Sequence, residues 1–176
     1  AEVGDKTQLL ALLLAAMFRR PLPIIAGIFF ATLANHAFAG AVGQWLTHVV
    51  SPEALRWILG LSFIGMAVWT LIPDKLDEGA PRKRRFGVFG TTLIAFFLVE
   101  MGDKTQIATV ALAAHYDALA AVVMGTTLGM MIANVPAVML GNFTAEKLPV
   151  RAIHIAAAIL FALLGVAVLG GLVLGL

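Results

Sequence analysis

The stretch VEMGDKTQIATVALAA, residues 99–114, sets Glu100, Asp103 and Lys104 inside an otherwise apolar run. Residues 1–16, AEVGDKTQLLALLLAA, repeat nearly the same words. An Asp or Lys at the centre of a membrane helix costs roughly 2.5–3.5 kcal/mol. A chain that carries such residues twice, in matching order, needs a reason for them. The segments that surround the two copies decide the fold class.

The chain has 176 residues, of which 61% are apolar and 12% charged, with no cysteine. Soluble domains run near 45–50% apolar and about 25% charged. Apolar runs near the ~20 residues that span a bilayer recur along the whole sequence. No stretch alternates apolar and polar residues with period two, as a membrane barrel requires. The expected fold is therefore an all-α integral membrane protein with six transmembrane helices. They cover about 1–18, 24–46, 54–72, 87–114, 118–143 and 150–175. Without cysteine, neither a disulfide framework nor a thiolate metal site is available.

The two motif copies stand 98 positions apart, Asp5 against Asp103. Similarity continues with Gly27 and Gly125, with Asn35 and Asn134, and with Gly65 and Gly165 at the head of similar tetrapeptides. The chain thus divides into a first three-helix repeat (1–72), a basic loop (73–86) and a second three-helix repeat (87–176). A repeat with an odd number of spans enters the membrane from opposite sides in its two copies. The expected architecture is a 3+3 inverted repeat, the arrangement of transporters that bind substrate near the midplane between repeats. The second copy is preceded by GVFGTTLIAFFLV and the first by Ala1 alone, so about a dozen residues are expected to be missing before Ala1.

Basic residues set the orientation. Arg19, Arg20, Lys75, Arg82, Lys83, Arg84, Arg85, Lys147 and Arg151 fall on one side, and only Arg56 on the other. By the positive-inside rule the first side is cytoplasmic, with both termini outside. The run Arg82–Arg85 reads as a topology-fixing loop, and no nucleic-acid partner is expected.

Glu2 and Asp5, like Glu100 and Asp103, are expected to share one helix face, and Glu2–Lys6 and Glu100–Lys104 to be favourable four-residue pairs. Gln8 and Gln106 lie three residues further on. Gly4 and Gly102 permit close backbone approach or local unwinding. Brought together, Glu2, Asp5, Glu100 and Asp103 with Lys6 and Lys104 carry a formal charge of −2, which one divalent cation neutralises. Thr7, Thr105, Asn35 and Asn134 add further oxygens, and an oxygen-rich site suits Ca²⁺, Mn²⁺ or Mg²⁺. The lysines either balance charge or stand in for the ion. Closely spaced carboxylates also bind protons in competition with a cation, which makes exchange reasonable. No prosthetic group is called for; the partners are the transported ion, protons and the lipid bilayer.

Other residues read more plainly. His36 has no counterpart, since Val135 follows Asn134, and packing with a backbone hydrogen bond is the reading favoured for it. His154 reads as interfacial, Met101 as packing, Pro136 as a kink, and Gly125/Gly129 and Gly171/Gly175 as small-residue packing pairs.

The doubled Glu-x-Gly-Asp-Lys-Thr signature resembles a family of cation transporters defined by that motif. The family includes bacterial manganese exporters and Golgi and chloroplast Ca²⁺/Mn²⁺ transporters, and stands near the lysine-exporter superfamily. The resemblance covers essentially the whole chain. It implies Mn²⁺ or Ca²⁺ export in exchange for protons and no enzymatic activity, with Glu2, Asp5, Glu100 and Asp103 as the motif acids. The short loop resembles the bacterial branch, which implies the inner membrane. Two rivals fit less well. An amino-acid exporter would need a carboxylate site, whereas Lys6 and Lys104 are outnumbered by acids. A lipid-pyrophosphate phosphatase would need arginine and a nucleophile at the acids, and the only serines are Ser51 and Ser62.

Overall fold

A computed structural model describes residues 5–72, 86–116, 118–140 and 150–171, apart from the side chains of residues 140, 150, 153 and 154. Glu2, Gly4, Gly175, the side chain of His154 and nearly all of the expected 73–86 loop therefore lie outside the described residues. Those described form helices only: α1 (Lys6–Phe18), α2 (Pro21–Val49), α3 (Pro52–Thr70), α4 (Gly87–Glu100), α5 (Lys104–His115), α6 (Leu119–Leu140) and α7 (Val150–Leu169).

Local chemistry accounts for the boundaries. Pro21 and Pro52 open α2 and α3, where a missing N–H is harmless. Ser51 caps α3, its hydroxyl accepting from the Ala54 N–H at 3.4 Å. Arg19 adopts a left-handed conformation that ends α1 and turns the chain into α2 within two residues. Pro136 does not end α6, which continues to Leu140.

One sequence expectation is overturned. The single helix expected over 87–114 is broken into α4 and α5 by Met101, Gly102 and Asp103. Gly102 has φ +76°, a conformation outside the helix that glycine adopts without steric penalty. The Asp103 N–H closes the break as a turn onto the Glu100 carbonyl at 3.0 Å.

The central element is α2, which packs on α4, α5 and α6, while α3 packs on α7. One apolar core joins Leu10 and Leu14 of α1, Ile24 and Ile28 of α2, Phe96 of α4 and Val138 of α6. A second joins Leu59, Phe63 and Met66 of α3, Ala108 and Ala111 of α5, and Val168 of α7, with Phe63 stacked on Phe161 at 6.4 Å. Close crossings use small residues. A Cβ at Gly43 would collide with the Val110 carbonyl of α5, and one at Gly165 would meet Ile64 at 2.7 Å. At Gly125 and Gly129, by contrast, an added Cβ would meet no atom within 4 Å, so the expected packing on these glycines is not made among the described residues.

The surface inverts the soluble pattern. Phe38, Leu61, Leu98, Ile132 and Leu163 are exposed, while Asp5, Glu100, Asp103, Lys104, Asn35 and Asn134 are buried. Two helices, over Pro21–Val49 and Leu119–Met139, are long and apolar enough to cross a membrane.

Gly43→Ala is expected to destabilise the fold by about 1–3 kcal/mol, because the rigid α5 backbone must move. Gly129→Ala should leave stability unchanged or raise it by up to ~1 kcal/mol through helix propensity. Thermal unfolding in detergent separates the two outcomes.

Candidate cation-binding site

The two motif aspartates begin their helices in the same way. Asp5 caps α1 with φ −82° and ψ 168°, and Asp103 caps α5 with φ −78° and ψ 162°. Each backbone carbonyl accepts the first helical hydrogen bond, from Leu9 and Ile107 respectively, at 3.1 Å. Neither side chain bonds to its own helix as a cap. Each carboxylate can therefore turn to another partner while keeping the favourable position at the helix's positive end.

They reach across to the other motif. Lys104 Nζ donates to Asp5 Oδ1 at 3.0 Å, and Lys6 Nζ lies 3.1 Å from Asp103 Oδ1. Each lysine thus meets the aspartate of the opposite copy. Sequence spacing suggests the glutamate four residues earlier, and for Lys104 that reading fails. Glu100 ends α4 and Lys104 starts α5, so the two are not successive turns of one helix. The shared helical face expected for Glu100 and Asp103 is lost for the same reason. Lysine in the first helical turn is disfavoured by the macrodipole. Two lysines held there against distant aspartates are costly as scaffolding.

The two pairs differ in access to solvent. Lys104 is 1% exposed and Lys6 26%, with Asp5 and Asp103 both buried. Asp103 Oδ2 has no hydrogen bond among the described residues, and the Lys6 contact to Oδ1 is short without hydrogen-bond alignment.

Glu100 sits in a different environment. Thr32 Oγ1 and Asn35 Nδ2 donate to its Oε2 at 3.3 and 3.2 Å. Asn35 Nδ2 also donates to the Phe97 carbonyl at 3.0 Å, which holds α2 to the end of α4. Asn35 Oδ1 accepts from Gln106 Nε2 at 3.3 Å, and Gln106 Oε1 accepts from the Gly102 N–H at 2.7 Å. The chain Glu100–Asn35–Gln106–Gly102 therefore braces both sides of the helix break. The amide oxygen expected of Asn35 as a ligand is engaged with Gln106 in this arrangement.

His36 Nε2 lies 3.0 Å from Glu100 Oε1, both side chains fully buried. The expectation of a packing histidine with a backbone hydrogen bond is thus replaced by a carboxylate neighbour. Thr32 is a functional candidate that sequence reasoning misses. Its signal is nonetheless there: Thr32, Asn35 and His36 lie at three- and four-residue spacing on one face of α2.

The remaining candidates divide. Gln8 Nε2 donates to the Ala133 carbonyl at 3.0 Å, linking α1 to α6. Asn134 Nδ2 donates to Met130, and its buried Oδ1 has no hydrogen-bond partner among the described residues. Thr7 is buried and Thr105 partly so. Met101, expected as a packing residue, is 53% exposed. Among the described residues no group of three or more His, Asp or Glu side chains is arranged to hold a metal ion. Asp5 and Asp103 each stand against a lysine and Glu100 against His36, and Glu2 lies outside the described residues.

The sequence matches the family model of the divalent cation/proton antiporter GDT1 over residues 1–78 and 88–173. It is 54% identical to a protein of Vibrio cholerae described as "Putative manganese exporter", covering 95% of this chain and 84% of that one. It is 30% identical to a GDT1-like protein of rice over 92% of this chain and 66% of the relative, and 29% identical to one of Synechocystis over 94% and 89%. No solved structure matches the chain significantly.

Asn35→Ala is expected to cost about 1–3 kcal/mol, since it leaves the buried Glu100 and Gln106 without a partner they share. Thr32→Val, nearly isosteric and removing one of several donors, should cost about 1 kcal/mol. Chemical denaturation of the detergent-solubilised variants reads the order.

Proposed function

The chain belongs to the GDT1 family of divalent cation/proton antiporters, and from that membership we propose that it exports Mn²⁺ from the cytoplasm in exchange for protons. It is a transporter, not an enzyme. The manganese assignment draws support from the description of the Vibrio relative, and the oxygen-rich motif residues suit a hard divalent ion, Ca²⁺ included. The proposed frame is six spans, as two inverted three-helix repeats over 1–72 and 87–176. The basic 73–86 loop is cytoplasmic, both termini are outside, and the host membrane is the bacterial inner membrane.

One observation carries the reading: Lys6 and Lys104 are exchanged between the aspartates of the two motifs. Cations placed on buried carboxylates occupy positions that a divalent ion can take over. In the proposed cycle, Glu2, Asp5, Glu100 and Asp103 receive the ion from the cytoplasm as the lysines withdraw. Oxygens of Gln8, Gln106, Thr7, Thr105, Asn35 and Asn134 complete its coordination, and the lysines keep the net charge within one divalent ion's reach. The repeats then rearrange to open outward, and protons arriving at the carboxylates displace the ion. The matching backbone of Asp5 and Asp103 supports a site built from two equivalent halves. The break at Gly102 supports a motif that can reshape without unfolding a whole span.

In proteoliposomes containing a pH-sensitive dye, wild type should move Mn²⁺ with opposing proton flux. Asp5→Asn and Asp103→Asn should each lower that flux by at least about tenfold, the scale on which altered metal surroundings act. Undiminished flux in both variants sinks the site, and cation flux without proton movement sinks the antiport.

A further inference from the structure

We propose that His36 is a nitrogen ligand of the transported ion, and that it biases the path toward first-row transition ions over Ca²⁺ and Mg²⁺. The inference rests on the transport reading above and assigns a specificity role to a residue outside both motifs.

The two carboxylate oxygens of Glu100 have unequal surroundings. Oε2 is held by Thr32 and Asn35, which fixes the plane of the carboxylate. Oε1 has no hydrogen bond among the described residues, yet His36 Nε2 stands 3.0 Å away. Nε2 likewise has no hydrogen bond among them, so the two atoms are close without the alignment of a donor and an acceptor. On the far side of the ring, Thr127 Oγ1 of α6 lies 3.5 Å from Nδ1 and can accept its proton. With the proton on Nδ1, Nε2 keeps its lone pair free beside Oε1, the form in which imidazole binds metal with its other nitrogen oriented by a neighbour.

Nε2 and Oε1 stand side by side in a fully buried site without pointing at one another, as two donors do when both are aimed at a shared positive centre. The spacing suits an ion. Adjacent donors of an octahedral cation with bonds of about 2.1–2.3 Å stand about 3.0–3.3 Å apart. His36 and Glu100 are already at that edge length.

The chemical consequence is selectivity. Ca²⁺ and Mg²⁺ are hard ions served by oxygen, whereas imidazole is a good ligand for first-row transition ions. A site of carboxylates and amides alone has little to separate Mn²⁺ from Ca²⁺. One imidazole supplies a difference. It does so on one side only, because Val135 stands where the second half would carry its counterpart.

The test uses the full chain in detergent, loaded with Mn²⁺ alone and examined by electron spin echo envelope modulation. Wild type should show nitrogen modulation from a directly bound imidazole, and His36→Gln should lose it while still binding Mn²⁺. Should the variant fail to fold, isotopically labelled histidine in wild type reads the same contact, and an unchanged modulation overturns the inference. In proteoliposomes the Mn²⁺-to-Ca²⁺ transport ratio of His36→Gln should fall by on the order of tenfold. A purely structural role would lower both fluxes and leave the ratio in place, and that result also overturns the proposal. Wild type that moves Mn²⁺ without nitrogen modulation rejects the ligand role alone. Wild type that neither binds nor moves Mn²⁺ rejects the transport reading and His36 with it.

Discussion

Charge buried among apolar helices has to be met by opposite charge close at hand, and in this protein it is met across the molecule. Asp5 is answered by Lys104 and Asp103 by Lys6, so neither motif is electrostatically complete without the other. The rest of the arrangement depends on that exchange. Both aspartates sit at a helix start, where the carboxylate has the helix's positive end behind it and is not used as a side-chain cap. The chain therefore begins α1 directly after Asp5 and interrupts the fourth expected span directly before Lys104.

The interruption has its own supports. A helix break in an apolar interior frees backbone groups that must find partners. Here the Gly102 N–H goes to Gln106, the Phe97 carbonyl to Asn35 and the Glu100 carbonyl to the Asp103 N–H. Two of those partners are side chains that also belong to the network around Glu100. The same residues thus stabilise the break and orient a carboxylate, which couples the shape of the backbone to the chemistry at the site. Glu100 itself is the exception to lysine pairing. Its neighbours are neutral donors and an imidazole, giving the second half of the molecule a chemistry that the aspartates do not have.

Much of this is legible in the sequence. The apolar runs locate the helices α1, α2, α3, α6 and α7, because length and composition go far to decide whether a segment can be helical in an apolar medium. The motif residues stand out because charges there have no cheap structural explanation. What misleads is the assumption of helical periodicity through the motif. Spacings of three and four residues imply shared faces only where the helix is continuous, and Gly102 makes it discontinuous. In the sequence, a glycine within a membrane helix is compatible with either outcome. His36 is undervalued for a related reason: a single histidine without a repeat partner carries no sequence evidence of what it faces.

By itself, then, the sequence determined the helical character of the described residues and a charged motif written twice, since composition and repetition act locally along the chain. Only the tertiary structure decided which lysine meets which aspartate, that Thr32 and His36 stand at Glu100, and that the fourth span is two helices. The contacts among these join residues 64 to 99 positions apart, and a pairing over such separations is set by how helices pack and how buried charge finds its nearest counter-charge.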